Sequence, residues 1–225
     1  MQVSDDEMRL GHESYVVEST EEVSMSKVVV CLTMSLDGFI AGPDDGAERP
    51  LGRGGERLFS WMNAGPEANR VDRFMAPPDA SKPVVEAWLT GFGAGVSGRR
   101  TFDIANGWKD GHPIDAPIFV VTHEAPTHGE WSPRVRFVTE GLDRALELAQ
   151  EAAGDKAVGV SAADLAQQVL RSGQLDEIEV SVVPYLLGGG VRLFDHLGSE
   201  PIELEQISVI PSDGVTHLRY RVLRS

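Results

Sequence analysis

The sequence predicts an α/β fold: a mostly parallel sheet covered by helices, closed towards its C-terminal end by an antiparallel hairpin. Three observations predict it. Strand-like runs alternate with stretches of helical periodicity from Lys27 onward. Within Lys27–Thr33, Val28-Val29-Val30-Cys31-Leu32 is an unbroken apolar run, as a strand buried on both faces requires. Ile202–Ile210 and Val215–Leu223 are joined by Pro211-Ser212-Asp213-Gly214, a turn sequence between two strand-like segments.

Residues 1–26 carry Asp5, Asp6, Glu7, Glu18, Glu21 and Glu22 and lack a basic region followed by an apolar block. They read as a disordered acidic tail rather than a signal peptide, with Met25 an alternative start. Residues 27–225 then form one domain. After the first strand, Gly42–Gly55 and Asn63–Lys82 are rich in Gly and Pro, which suits a lid or pocket wall, or ordinary surface loops. Pro83–Phe92 reads as a helix with proline in its first turn and Val84, Val85, Trp88, Leu89 and Phe92 inward. Ala94–Ser97, Ile118–Thr122, Val135–Thr139 and Ala157–Val160 read as short strands. Leu142, Ala145, Leu146, Ala149 and Ala153 recur at helical spacing and stop at Gly154. Ala162, Leu165, Ala166, Val169 and Leu170 repeat the pattern and stop at Gly173. Ile178–Leu187 is a longer strand.

Composition narrows the function. With 20 Lys+Arg against 35 Asp+Glu, the formal charge of -15 argues against nucleic-acid partners and anionic membranes, and no apolar run reaches transmembrane length. A single cysteine, Cys31, excludes an internal disulfide framework and suits a reducing cytoplasm. Inside its apolar run it reads as a buried strand residue rather than a nucleophile.

Val96-Ser97-Gly98-Arg99-Arg100-Thr101-Phe102 is the most informative segment. A β-branched run ends in glycine, two guanidiniums follow, and a hydroxyl stands where a helix begins. Together they supply close backbone approach, forked donors and free helix N–H groups, the parts of an anion site. The plainer reading keeps Arg99-Arg100 as a solvated face and Thr101 as an N-cap.

Ser35-Leu36-Asp37-Gly38-Phe39-Ile40-Ala41, Gly98-Arg99-Arg100-Thr101-Phe102, Val120-Val121-Thr122-His123, and Leu175-Asp176-Glu177 leading to Pro184-Tyr185-Leu186-Leu187-Gly188-Gly189-Gly190 occur in this order. In that arrangement the chain resembles the dihydrofolate reductase superfamily, in the branch similar to the reductase domain of bacterial riboflavin biosynthesis. The resemblance implies a three-layer sandwich, a homodimer, and reduction of a small heterocyclic or carbonyl substrate by NADPH. It assigns Gly98, Arg99, Arg100 and Thr101 to the cofactor phosphates, Thr122 and His123 to the adenosine 2′-phosphate, and Ser161 and Ala162 to the next cofactor-facing turn. Ser35, Asp37 and Gly189 fall to the substrate, with Asp37 the candidate catalytic acid.

For several of these a plainer reading stands beside the functional one. Asp37-Gly38 is a turn-favouring dipeptide, Gly188–Gly190 a flexible turn and His123 a loop histidine. Three departures shape the expectation. Ser161-Ala162 replaces the paired glycines common in the family, so the Ala162 methyl crowds a close backbone approach, while Ser161 with Asp164 resembles a capping box. No Asp-Asp-Pro segment followed by arginine marks a phosphosugar site. No early-helix carboxylate matches the pterin-facing one, since Glu56 reads as a helix-start acid. The substrate expected is therefore neither of the two best-known ones. A cofactor-binding protein of the same fold without turnover is the main rival. A metal hydrolase has less support, because His112, His123 and His128 lack paired ligand spacing and no metal is expected.

Overall fold

A computed structural model describes residues 26–72 and 75–224. The strands are β1 (Val28–Ser35), β2 (Phe39–Ala41), β3 (Phe92–Gly98), β4 (Ile118–Val121), β5 (Val135–Val138), β6 (Ala157–Val160), β7 (Glu177–Val183), β8 (Val191–Arg192), β9 (Leu204–Ser212) and β10 (Val215–Val222). The helices are α1 (Lys82–Gly91), α2 (Arg99–Ile104), α3 (Leu142–Ala153) and α4 (Ala163–Arg171). Short 3-10 helices cover Gly55–Asn63, Glu67–Asn69 and Asn106–Trp108.

An 8-stranded sheet runs β5-β4-β3-β6-β1-β7-β10-β9. It is parallel from β5 through β7, and β10 and β9 close it antiparallel. Alternation within β1 divides its two faces. Val28 and Val30 join the core under α3 and α4, where Leu146, Ala149, Leu165 and Val169 meet Val158 and Val160. On the opposite side, Leu58, Trp61, Val85 and Val183 form a second core beneath the Gly55–Asn63 helix and α1. Burial of these side chains is the main term holding the layers, at about 1.5–3 kcal/mol for each large one.

Polar contacts fix how the layers sit. His217 on β10 is 5 % exposed, and its Nδ1 and Nε2 lie 2.8 Å from Ser181 Oγ and Ser81 Oγ. Trp61 packs edge-on against it at 5.0 Å. Ser81 is the N-cap of α1, yet its hydroxyl bonds to Ser212 and His217 instead of capping, so this helix is pinned to the sheet through β10. On β7, buried Glu177 takes Lys27 Nζ at 2.7 Å and Arg219 at 2.5 Å, which stitches the start of β1 to β10.

Of the expected tail, only Ser26 is among the described residues. Residues 1–25 lie outside the described residues, but Ser26 is buried, its Oγ donating to the Gly154 carbonyl (2.5 Å) at the end of α3. The strand expected over Ile178–Leu187 ends at Val183, since Pro184 cannot donate to a ladder. A small antiparallel pair, β2 with β8, is invisible in the sequence because each member is so short. The loop-rich Gly42–Gly55 segment folds tightly on itself: a Cβ on Gly42 would lie 2.1 Å from the Arg53 carbonyl oxygen.

Candidate functional site

At the carboxyl ends of β1, β3, β4 and β6 lies a cleft of about 950 Å³, the position where open parallel sheets take ligands. Gly98, Arg99, Arg100, Thr101, Thr122, His123, Ser161 and Ala162 all line it. The three turns that carry them therefore converge, although they are far apart in sequence.

The β3–α2 turn is extended at Gly98 (φ -88, ψ 159), and the chain becomes helical at Arg99. Gly98 is thus the N-cap, and Thr101 lies within the first turn rather than capping it. Arg99 Nε donates to both carboxylate oxygens of Asp103 (2.9 and 3.0 Å), and its Nη1 reaches the Glu124 carbonyl at 3.1 Å. Arg100 Nη2 donates to Asp45 Oδ1 (2.7 Å) and the Asp45 carbonyl (2.9 Å), which ties the Gly42–Gly55 loop across the mouth of the cleft. Thr122 is buried. Its hydroxyl donates to the Glu124 carbonyl at 2.9 Å and fixes the turn that leaves His123 exposed at the rim.

The capping box expected at Ser161 and Asp164 does not form. The Ser161 amide donates to the Val96 carbonyl (3.1 Å), so Ser161 continues the strand and Ala162 becomes the N-cap of α4 with no side-chain cap. Asp164 instead accepts from Gln168 Nε2 at 2.7 Å. The first amides of α4 consequently open into the cleft without a capping side chain. Opposite them, a Cβ on Gly98 would lie 3.7 Å from the Ala162 methyl, an ordinary contact.

A second cavity of about 490 Å³ lies beside it, against the Gly55–Asn63 helix and α1. It shares Leu32, Thr33, Phe59 and Ser161 with the cleft, so the two adjoin. Its wall is largely apolar, with Cys31, Asn63 and His112 among the few polar side chains. Burial pushes the Cys31 thiol well up, and the nearby Glu179 carboxylate adds to this, so the sulfur is held protonated. Burial pushes His112 down to about 4, so its imidazole is neutral at pH 7.

Ser35, Asp37 and Gly189 are placed elsewhere, and none of them lines the cleft or the inner cavity. Ser35 Oγ donates to Asp37 Oδ1 (2.6 Å), to which Leu187 N–H also donates (3.1 Å), while Gly188 N–H donates to Asp37 Oδ2 (2.7 Å). Burial pushes this carboxyl up, but the bonds from Ser35, Gly188 and Leu187 outweigh it, and the net shift is downward. The carboxylate clamps the β1–β2 turn to the segment after β7. The three histidines are dispersed: His112 packs on Trp108, His123 is at the cleft rim, and His128 lies beside Thr127. Among the described residues, no group of three or more His, Cys, Asp or Glu is placed to hold a metal. No helix there is long and apolar enough to cross a membrane.

The family model for the RibD C-terminal domain matches residues 26–217. The chain belongs to this family. No curated protein matches the sequence. Among solved structures, a protein from Shewanella sp. PV-4 described under riboflavin biosynthesis is similar to this RibD C-terminal-type chain. It gives a TM-score of 0.63 at 24% identity, over 88% of this chain and 99% of its own. Acinetobacter baumannii RibD gives 0.58 at 16% identity over 89% of this chain, which spans 59% of that protein's length. Dihydrofolate reductase from Enterococcus faecalis, solved with NADP(H), gives 0.53 at 10% identity, over 88% and 97% of the two chains. These likenesses carry the fold, a dihydrofolate reductase-like α/β sandwich.

The sequence singled out the cleft turns of this RibD C-terminal domain but not Asn63, and it names Trp88 only as a core residue and His112 only as a weak metal-ligand candidate. These stand on two helices and a loop with no motif around them, and only the tertiary fold brings them to one wall. Asp45 was equally silent, though a lone acid in a glycine-rich loop opposite an Arg-Arg pair is a signal for such a tie.

Proposed function

We propose that this chain is an NADPH-dependent reductase of a small molecule. The observation that carries the reading is the convergence of the Gly98–Thr101, Thr122–His123 and Ser161–Ala162 turns on one cleft that adjoins an apolar cavity. The donor set fits a dinucleotide phosphate. The uncapped α4 amides, with Gly98 opposite, suit a pyrophosphate, and Arg99 with His123 suits an extra phosphate where an NAD site would carry a ribose-binding carboxylate. Reduced nicotinamide, when bound, supplies a hydride. The chain's own part is to align the ring near Thr33 and Ser161, where cleft and cavity meet, and to exclude water there. The NADP(H) held by the dihydrofolate reductase neighbour supports the same assignment.

A second reading, an NADP-binding protein without turnover, is favoured by two observations. The Ala162 methyl stands opposite Gly98 where the family commonly has glycine, and both arginines already pair with carboxylates. In either reading the protein works in the cytoplasm, and its partners are small molecules and a second copy of itself. For the homodimer we propose the exposed β9 edge, where Leu204, Ile207 and Val209 face outward.

Titration of the wild type with NADPH and NADH tests the reductase reading. NADPH should bind at least about tenfold more tightly, and Arg99→Ala should remove most of that preference, since one charge-assisted contact is worth about 1.5–3 kcal/mol. Equal affinities would overturn the NADPH assignment, and binding of neither cofactor would overturn the cofactor site. Substrate-linked oxidation of NADPH then separates enzyme from binder.

A further inference from the structure

The inner cavity specifies its occupant through what its wall lacks and through the direction of its hydrogen bonds. Among the described residues, no Lys, Arg, Asp or Glu lines it. Phe59, Trp88, Phe92, Met62 and Met75 supply flat and polarizable surface instead. Placing an unpaired phosphate or carboxylate against such a wall costs several kcal/mol, so a charged ligand is rejected. The volume, about 490 Å³, suits a molecule of bicyclic size or somewhat larger.

Two polar side chains have one end already occupied, and in each it is the accepting end. His112 Nδ1 accepts from the Ile114 amide at 3.2 Å, so in the neutral ring the proton sits on Nε2, a donor. Asn63 Oδ1 accepts at 3.3 Å from the Ala76 amide, which it shares with the Met62 carbonyl at 2.9 Å, and its NH₂ group is left as donor. Both therefore have a donor left for a ligand's acceptor, while the Thr33 and Ser161 hydroxyls on the same wall can donate or accept. A pterin or aminopyrimidine brings several donors of its own, for which this wall holds no carboxylate among the described residues.

We infer that the cavity takes an uncharged, flat compound bearing carbonyl acceptors, of the quinone or cyclic enone class, in preference to a phosphorylated or amino-substituted heterocycle. The inference rests on the reductase reading for its chemistry. Such a substrate accepts a hydride from the reduced nicotinamide and a proton from solvent, leaving a hydroquinone or saturated ketone and the oxidised cofactor. Its binding does not depend on that reading.

Calorimetric titration tests it with 2,3-dimethyl-1,4-naphthoquinone, the analogue in which one methyl is a carboxylate, pterin, and uridine 5′-monophosphate. The neutral quinone should bind at least about tenfold more tightly than any of the other three. Asn63→Asp, which keeps the acceptor to Ala76 but turns the donor into a carboxylate, should weaken the quinone about tenfold and leave NADPH affinity unchanged. Tighter binding of the carboxylate, pterin or nucleotide, or binding of none of the four, would overturn the assignment. NADPH titration of the same protein keeps the two questions apart: loss of cofactor binding with quinone binding intact removes the reductase and leaves the cavity's specificity standing.

Discussion

Asp37 is bonded on both carboxylate oxygens, and the segments it joins determine what its removal does. Its partners Leu187 and Gly188 are 150 and 151 residues away in sequence. The local sequence Asp37-Gly38 announces a turn, and the turn is there, with the Gly38 amide donating to the Ser35 carbonyl at 2.9 Å. No local pattern names the amides that the side chain then captures. We propose that Asp37 is a positioning residue. Because its carboxyl titrates below the ordinary value, the clamp is complete at neutral pH and is lost as pH falls through that lowered pKa. Asp37→Asn keeps the turn but gives up the charged acceptor, and it should lower stability by about 1 kcal/mol, as charge-assisted bonds near solvent are worth. NADPH affinity should stay within about twofold of wild type, well under the tenfold that one lost contact brings. A melt that does not move, together with a collapse in turnover, would return Asp37 to catalysis.

The strand-to-helix turns are the elements on which the proposed cofactor binding depends. The Gly-Arg-Arg-Thr order reads as a candidate anion site because the chemistry that suggests it is local, and what the structure adds is its place on the cleft. The start of α4 was misread because Ser161 spends its amide on Val96, a neighbour in the sheet rather than in the chain. These turns permit a clean experiment. Gly98 has ordinary extended dihedrals and room for a methyl, so Gly98→Ala should fold with an unchanged Tm. It should nevertheless bind NADPH about tenfold more weakly if a phosphate approaches the backbone there. Ala162→Gly should tighten binding by removing the opposing methyl. The pair is checked by one set of titrations and melts. Unchanged affinity in both variants means the phosphates sit elsewhere in the cleft.

At the scale of the whole molecule, alternating strand and helix patterns disclosed the layers and the closing hairpin, while the order of strands in the sheet stayed hidden because each pairing joins distant segments. The β9 edge is where assembly should act. Sedimentation at micromolar concentration should show a dimer for the wild type. Ile207→Lys, which places a charge on the exposed row, should give a monomer with its fold intact. A wild-type monomer under these conditions would remove the dimer proposal. The position of β1 has a different consequence. It is made before its neighbours, yet both of them, β6 and β7, come from the far half of the chain. On the ribosome its apolar row therefore has no sheet partner until residues near Val160 have emerged, and it lacks the second until those near Val183 follow. The centre of the sheet closes late in synthesis, over long loops and slowly. Throughout that interval the nascent chain exposes its stickiest strand, which makes it a natural client for chaperones that hold apolar segments.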